Sequence, residues 1–591
     1  MRRPHIRRVA IAVAVTTAAT LPGPAFAAVP DGPARAATSA ASPVAAARAA
    51  AFAHASATGV TRGDTLQAKD VMTDPDGKQH VRFVRTHQGL PVLGGDLVVH
   101  LGERAQYLGV TRAADHVVEP STVEAKLTPQ EAERKAAAAA KGDAGSARLV
   151  VDARDGAAAL AYQVLVVDSD TTQAGGSRTV VVDARSGRIR SNTPESDEFI
   201  SPALADTLRE RGEHATPQTG TASGLSGLTG VSAAGRYPAT ATGSGASLFA
   251  GKVALTTTRT ARTSYVLKDP KRWNTETRDA KGQELESFAR GKKFTDGDNK
   301  WGTGTTSSRA TAAVDAQYGI TKTLDFYKKT FGRKGIKNNS VGARGMVHFG
   351  DKVGNAFWDS TCGCMLYGDG DGQWFKKPLV VLDVTGHELT HGVVDATAAL
   401  EPTRVDEDGN QYGEPGSLNE SLADIFGSNV EFSANNPKNP PNYLVGEKLG
   451  LAQKFLRRLD HPSLDRLEEA IDYWSPAAYD TEVHAGSGVS SHAYYLLAEG
   501  SGRKTIGSVT YDSPTYDGSR VAGIGRTKAT AIFYRALTRY MVSTTDFHDA
   551  RKATLKAAAD MYGASSAEYK AVGKAWAAVN VTAANTPAAG H

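Results

Sequence analysis

Apolar and polar residues alternate with a period of two from about Gly63 to His100, in the text HVRFVRTHQGLPVLGGDLVVH, and Gly94-Gly95 separates two strand-like runs. The text LTPQEAERKAAAAAKGDAG, from Leu127, has the start signals and alanine content of a capped helix. ARLVVDA, ALAYQVLVVD and RTVVVDARSGRIR return to strand patterning, so residues 28–112 and 120–192 read as two small α+β modules. From 193 to 247 large apolar residues become scarce, as in TPQTGTASGLSGLTGVSAAGRYPATATGSG. Such a segment buries little and reads as an exposed linker, where a maturation cut would fall. KVALTTTR, TSYVLKD and the glycine-rich text to about Asp371 again suggest strands, and helical periodicity then runs from Thr385 to Val581. The remainder therefore divides into a strand-rich part, 248–384, and a helical part, 385–591.

A basic N-terminus (Arg2, Arg3, Arg7, Arg8) followed by an apolar run from Val9 to Leu21 is too short to span a bilayer, and Ala25-Phe26-Ala27 ends it in the small-x-small pattern of a cleavage site. Residues 1–27 are expected to be a signal peptide of an exported, extracellular protein. At 591 residues the chain exceeds one core, and 40% hydrophobic with 22% charged residues is an ordinary globular composition. A net charge of +5, with no later basic run, argues against a nucleic-acid partner, and no second long apolar run argues for a membrane span. The two cysteines, Cys362 and Cys364, leave both a strained short ring and two free thiols open.

The chemistry concentrates in VLDVTGHELTHGVVDATA, Val381 to Ala398. On a helix His387 and His391 lie one above the other, close enough for two imidazoles to bind one metal, and Glu388 sits where a general base for a water would be needed. An ordinary amphipathic helix would carry the same residues. Downstream, GSLNESLADIFGSNVEF offers Glu420 as a third ligand and Asp424 as a carboxylate that orients a ligand histidine. The competing reading makes Ser417 and Glu420 a capping box. A metzincin arrangement is excluded, because Val394 and Thr397 stand where its glycine and third histidine belong.

NAFW (Asn355 to Trp358), YGDGDG (Tyr367 to Gly372), DVTGHELTH, GSLNESLADIFG and GIGRTKATAIFYRAL (Gly523 to Leu537) together resemble the thermolysin-like neutral metallopeptidases, in order from about Lys252 to Val581. HVRFVRTHQGLPVLGGDLVVH resembles that family's fungalysin/thermolysin-type propeptide, and Leu127 to Ser191 a PepSY module. The resemblance implies an α+β fold, with a strand-rich N-lobe and a mostly helical C-lobe behind two small α+β propeptide modules. It implies zinc on His387, His391 and Glu420, Glu388 as general base, Asp424 behind a ligand, and His484 at the oxyanion. Asn355, Ala356 and Arg457 would hold the substrate backbone, while Phe375, Val384, Val445 and Leu456 would line an apolar pocket that directs cleavage before Leu, Phe, Ile or Val.

Departures leave some roles to be reassigned. The loop between His391 and Glu420 is long, and Tyr412 is the candidate for an oxyanion tyrosine. Tyr479 stands where the carboxylate supporting His484 belongs, so Asp480 is expected to substitute, with Glu482 as runner-up. The resemblance also implies structural calcium on Asp383, Glu431 and Glu447, and on a surface loop with Asp296 and Asp298, where Lys300 replaces a ligand. A monomeric, secreted zinc endopeptidase acting on protein or peptide substrates, with its own propeptide as inhibitor and chaperone, is the expectation. A zinc amidase acting on wall peptides and a non-catalytic binding protein are the alternatives.

Overall fold

The alternating text after Gly63 forms the antiparallel strands Asp64–Thr73, Gln79–His87 and Leu97–Leu101, because one face of each packs under the helix Pro43–Ala53. In the computed structural model, residues 42–154, 156–168, 176–212, 237–285 and 287–585 are described. The signal-peptide reading of residues 1–27 and the middle of the expected linker lie outside them. The helix Pro129–Ala140 begins as its sequence predicts: Thr128 and Glu131 close a reciprocal capping box, and Ala132 and Ala136 face the core.

The two N-terminal modules keep separate hydrophobic clusters but share a sheet. Leu90–Leu93 pairs in parallel with Arg148–Asp152, Val92 opposite Val151, and joins them into ten strands. This block docks on the helical lobe through polar anchors. The buried Arg82 guanidinium donates to the Met541 carbonyl at 2.8 Å, Ser543 donates to Asp96 at 2.6 Å, and Lys69 donates to the Asp395 carbonyl at 2.7 Å.

The strand-rich lobe holds a five-stranded and a seven-stranded sheet around the helix Arg309–Phe331. Its first strand is Ala239–Ala246, which pairs along its whole length with Lys252–Ala261, so the lobe begins before residue 248. The expected exposed linker is also corrected upstream. Ser196–Glu198 is the edge strand of the seven-stranded sheet, antiparallel to Ala356–Asp359, and the helix Pro202–Gly212 follows it. Phe199 and Ile200 are fully buried, because these two large apolar residues find a groove between the lobes. Cys362, in the turn after Ala356–Asp359, is disulfide-bonded to Cys364, the first residue of the strand Cys364–Tyr367.

Helices Leu382–Asp395 and Glu414–Ala434 cross at glycine. A Cβ on Gly427 would lie 2.8 Å from the Asp383 carbonyl, so no larger residue lets the backbones approach this closely. Expected helical continuity fails from Asn435 to Glu482, where NNPKNPPN and later prolines leave short strands and turns, and again at the hairpin Gly502–Ile506/Val509–Ser513. Among the described residues no helix is long and apolar enough to cross a membrane.

Candidate metal centre

Every residue from Leu382 to Val394 is buried, which rules out a solvated amphipathic helix. Polar groups in such a helix need partners. His387 Nδ1 donates to Asp424 at 2.7 Å and His391 Nδ1 to Asn419 Oδ1 at 3.0 Å. Both Nε2 atoms then face one another at 3.0 Å, with Glu420 oxygens 3.4 Å from His387 and 3.6 Å from His391. Two ligands about 2.0–2.1 Å from a tetrahedral ion stand about 3.3–3.4 Å apart, so this triad fits zinc. Glu388 is fully buried and neither of its oxygens closes a hydrogen bond. Such a carboxylate is costly to bury except beside a cation.

The capping-box reading of Glu420 fails on position. The helix starts at Glu414 behind Gly413, whose φ of 107° suits glycine, so Ser417 lies inside the first turns and its hydroxyl has no partner. Asp424 grips Arg457 with two bonds of 2.8 and 3.0 Å, and Arg457 also donates to Glu468 at 2.9 Å. Burial opposes the charge on Asp424, but Arg457 and His387 outweigh it and hold the acid down to about 2. Burial likewise works against a charged His387, yet Asp424 and Glu420 lift it to about 9, whereas burial, joined by the charge on His387, takes His391 down to about 4 against the pull of Glu420.

His484 Nδ1 donates to Glu482 at 2.9 Å and its Nε2 to the Glu198 carbonyl at 2.8 Å. Both ring nitrogens meet acceptors, so the ring is held as the cation against the cost of burial. The supporting carboxylate is therefore Glu482. Asp480 instead pairs with Arg404 at 3.3 Å on the surface, since the short turn at Pro476–Asp480 points it outward. Tyr412 is likewise corrected, because its hydroxyl donates to Asp406 at 2.9 Å within its own loop.

Asn355 Oδ1 accepts the Ile200 amide at 3.1 Å while its Nδ2 donates to the Ile200 carbonyl at 3.1 Å. The Ala356 carbonyl accepts from the Phe199 amide at 3.1 Å, and Arg457 donates to the Phe199 carbonyl at 3.0 Å. The Phe199 ring meets His387 edge-on at 5.2 Å and shares one buried cluster with Phe375, Val384, Val445 and Leu456. Asn419, Glu468 and the Asp197–Ile200 segment escaped the sequence reading. The last had a signal, since Phe199-Ile200 is a bulky pair in otherwise small-residue text.

Asp383, Glu431 and Glu447 place carboxylate oxygens within 4.8 Å of one another, and one oxygen of each is buried without a partner. Burial raises all three acids above the usual carboxylate range, the mark of a site that suits a cation. Asp296 and Asp298 sit in a polar turn, where both accept backbone amides and Lys300 Nζ lies 3.1 Å from Asp298.

Known proteins match much of the chain. The thermolysin metallopeptidase catalytic domain matches residues 242–395, its alpha-helical domain 410–581, and the fungalysin/thermolysin propeptide motif 64–114. The chain is 38% identical to a transglutaminase-activating metalloprotease of Streptomyces mobaraensis over 88% of its own length, and spans 62% of that protein. It is 31% identical to the thermostable neutral protease NprT of Geobacillus stearothermophilus, covering 88% of this chain and 86% of that one. Identity to the thermolysin of Alicyclobacillus acidocaldarius is also 31%, over 86% and 84% of the two chains. The chain belongs to the thermolysin family of metallopeptidases and carries that family's propeptide motif.

Proposed function

We propose that this chain is a secreted zinc endopeptidase, made as a proenzyme, that cuts extended polypeptide before a large apolar residue. One observation carries the reading: the edge strand Ser196–Glu198 runs on through Phe199 and Ile200 into the groove, and the backbone groups of Glu198, Phe199 and Ile200 are met in turn by His484, Ala356, Arg457 and Asn355. Export rests on the N-terminal text, and inhibition on the propeptide that fills the groove. A calcium ion on Asp383, Glu431 and Glu447 is part of the proposal and is supported by their orphaned oxygens.

Zinc on His387, His391 and Glu420 would polarise the scissile carbonyl and acidify a water. Glu388 takes the proton of the attacking water and passes it to the departing nitrogen. His484, protonated at both nitrogens, donates to the carbonyl oxygen as negative charge grows there, and Glu482 fixes its ring. Arg457 and Asn355 hold the backbone on the amine side of the bond, and the pocket beside Gly446 and Leu456 takes the side chain there.

A peptide library varied at the residue after the scissile bond tests the reading. Leu, Phe, Ile and Val are expected to be cut, with activity lost to a zinc chelator and restored by zinc. Selective action on wall peptides, with no cleavage of extended ones, would favour the amidase alternative.

Glu482→Ala is expected to lower kcat on the order of tenfold with KM nearly unchanged, because removing an oxyanion donor outright costs roughly 10²–10³ and here the donor is only loosened. Asp480→Ala should leave both constants within about twofold, as exposed substitutions usually do. Equal effects from the two variants would undo the assignment of Glu482.

A further inference from the structure

We infer that Glu414, Asp546 and His548 form a further metal site, built from one imidazole and two carboxylates, that takes a divalent transition cation of the zinc class. None of the three belongs to the zinc triad or to the carboxylate cluster around Asp383. One ligand atom from each lies within 4.8 Å of the others. Glu414 opens the helix that carries Glu420 and Asp424, while Asp546 caps the helix Phe547–Tyr562 and His548 is the second residue of that helix. An ion here ties the start of the one helix to the start of the other.

The imidazole supplies the decisive observation. His548 is 4% exposed, and its Nδ1 is buried without a hydrogen-bond partner. The state of that atom follows from the other ring nitrogen. Asn585 Oδ1 accepts from the Thr582 amide at 2.9 Å and Asn585 Nδ2 donates to the Asn580 carbonyl at 2.7 Å, which settles which end of the side-chain amide is oxygen. His548 Nε2, 3.0 Å from that oxygen, therefore donates and carries the hydrogen. In the neutral ring Nδ1 is then a bare lone pair, the form in which imidazole binds a metal, and Asn585 is the outer partner that fixes the tautomer. Trp474 meets the ring edge-on, with centroids 4.7 Å apart.

The acids are held in place as well. Glu414 Oε1 accepts from the Trp474 indole at 2.8 Å and its Oε2 from the Phe547 amide at 2.9 Å, so the carboxylate is oriented and still has lone pairs free. Asp546 Oδ1 accepts from the Asp549 amide at 2.7 Å, a cap that uses one of its two oxygens. Two carboxylates and a lone pair gathered together repel one another, and burial raises both acids above the ordinary carboxylate range. A proton on Nδ1 would relieve this by a direct bond to a carboxylate, and no such bond closes. A cation satisfies all three groups at once. The mixed nitrogen and oxygen set suits zinc and its neighbours better than calcium, which takes six to eight oxygens.

The test titrates the purified full-length chain, loaded with one equivalent of zinc and saturated with calcium, against Co2+, following its visible absorption and counting bound metal by mass spectrometry. The parent is expected to bind one further equivalent of cobalt and to unfold at a higher temperature when it does. His548→Ala should do neither, with peptide hydrolysis and the first zinc equivalent unchanged. Asn585→Ala keeps all three ligands and frees the tautomer, so it should weaken cobalt binding about 10–100-fold. If His548→Ala fails to fold, judged by zinc content and thermal unfolding, Asp546→Asn carries the same comparison, because asparagine preserves the helix cap. No further equivalent in the parent, or cobalt bound equally well after loss of His548 or Asp546, overturns the inference.

Discussion

Glu388→Gln is expected to lower peptide hydrolysis by about 10²–10⁴, the usual share of a general base, while zinc content stays unchanged. Stability separates this outcome from simple damage. The Glu388 carboxylate is fully buried, neither oxygen closes a hydrogen bond, and burial pushes the acid well above its ordinary range. Its amide replacement keeps the shape and removes an acid whose ionisation burial opposes, so thermal unfolding of the zinc-free protein should not move down. The measurements are kcat/KM on a peptide with leucine after the scissile bond, metal content and the unfolding midpoint. Hydrolysis within tenfold of the parent would show that another group handles the proton.

Much of the centre was legible because its chemistry is local in sequence. His387, Glu388 and His391 fall within one helical turn and a half, so the spacing alone brings the ring nitrogens together. Glu420 and Asp424 share a second helix, and their four-residue separation lets one face the metal site while the other backs His387. What failed was long-range or turned on a single residue of register. Asp480 and Glu482 are two positions apart, and only the turn at Pro476–Asp480 decides which reaches His484. The linker misled for a different reason. Its composition correctly reports small residues over most of its length, but strand pairing depends on the backbone, and Ser196–Glu198 needs only an edge strand to add to. The same holds for the two N-terminal modules, whose merger rests on the short parallel contact at Val92 and Leu93.

Asp424→Asn is the second variant with a large expected effect, because one carboxylate serves both a ligand histidine and a buried guanidinium. It accepts from His387 Nδ1 and forms a bidentate pair with Arg457, all at 3 % exposure or less. Asparagine can still accept from the histidine through one atom. Its amide group then faces the guanidinium, donor against donor. Removing one partner of a buried pair costs about 3–5 kcal/mol, since the other charge stays buried. Loss of the carboxylate behind a metal-ligating histidine weakens metal binding about 10–100-fold.

Glu468 is the control. It also accepts from Arg457, but burial outweighs the arginine and raises its pKa, whereas Asp424 is held down to about 2. Asp424 therefore carries most of the pairing, and Glu468→Gln should cost less stability and leave zinc affinity nearly intact. The sign against pH follows from the depressed value. The contribution of Asp424 is complete above the unfolded value of 3.8 and is lost as pH falls toward about 2, so both variants are compared at neutral pH, where the difference is fully present. Unfolding midpoints and zinc affinity by chelator competition decide it. Parental zinc affinity in Asp424→Asn would mean that His387 is oriented by packing against the Phe199 ring and its neighbours rather than by the carboxylate.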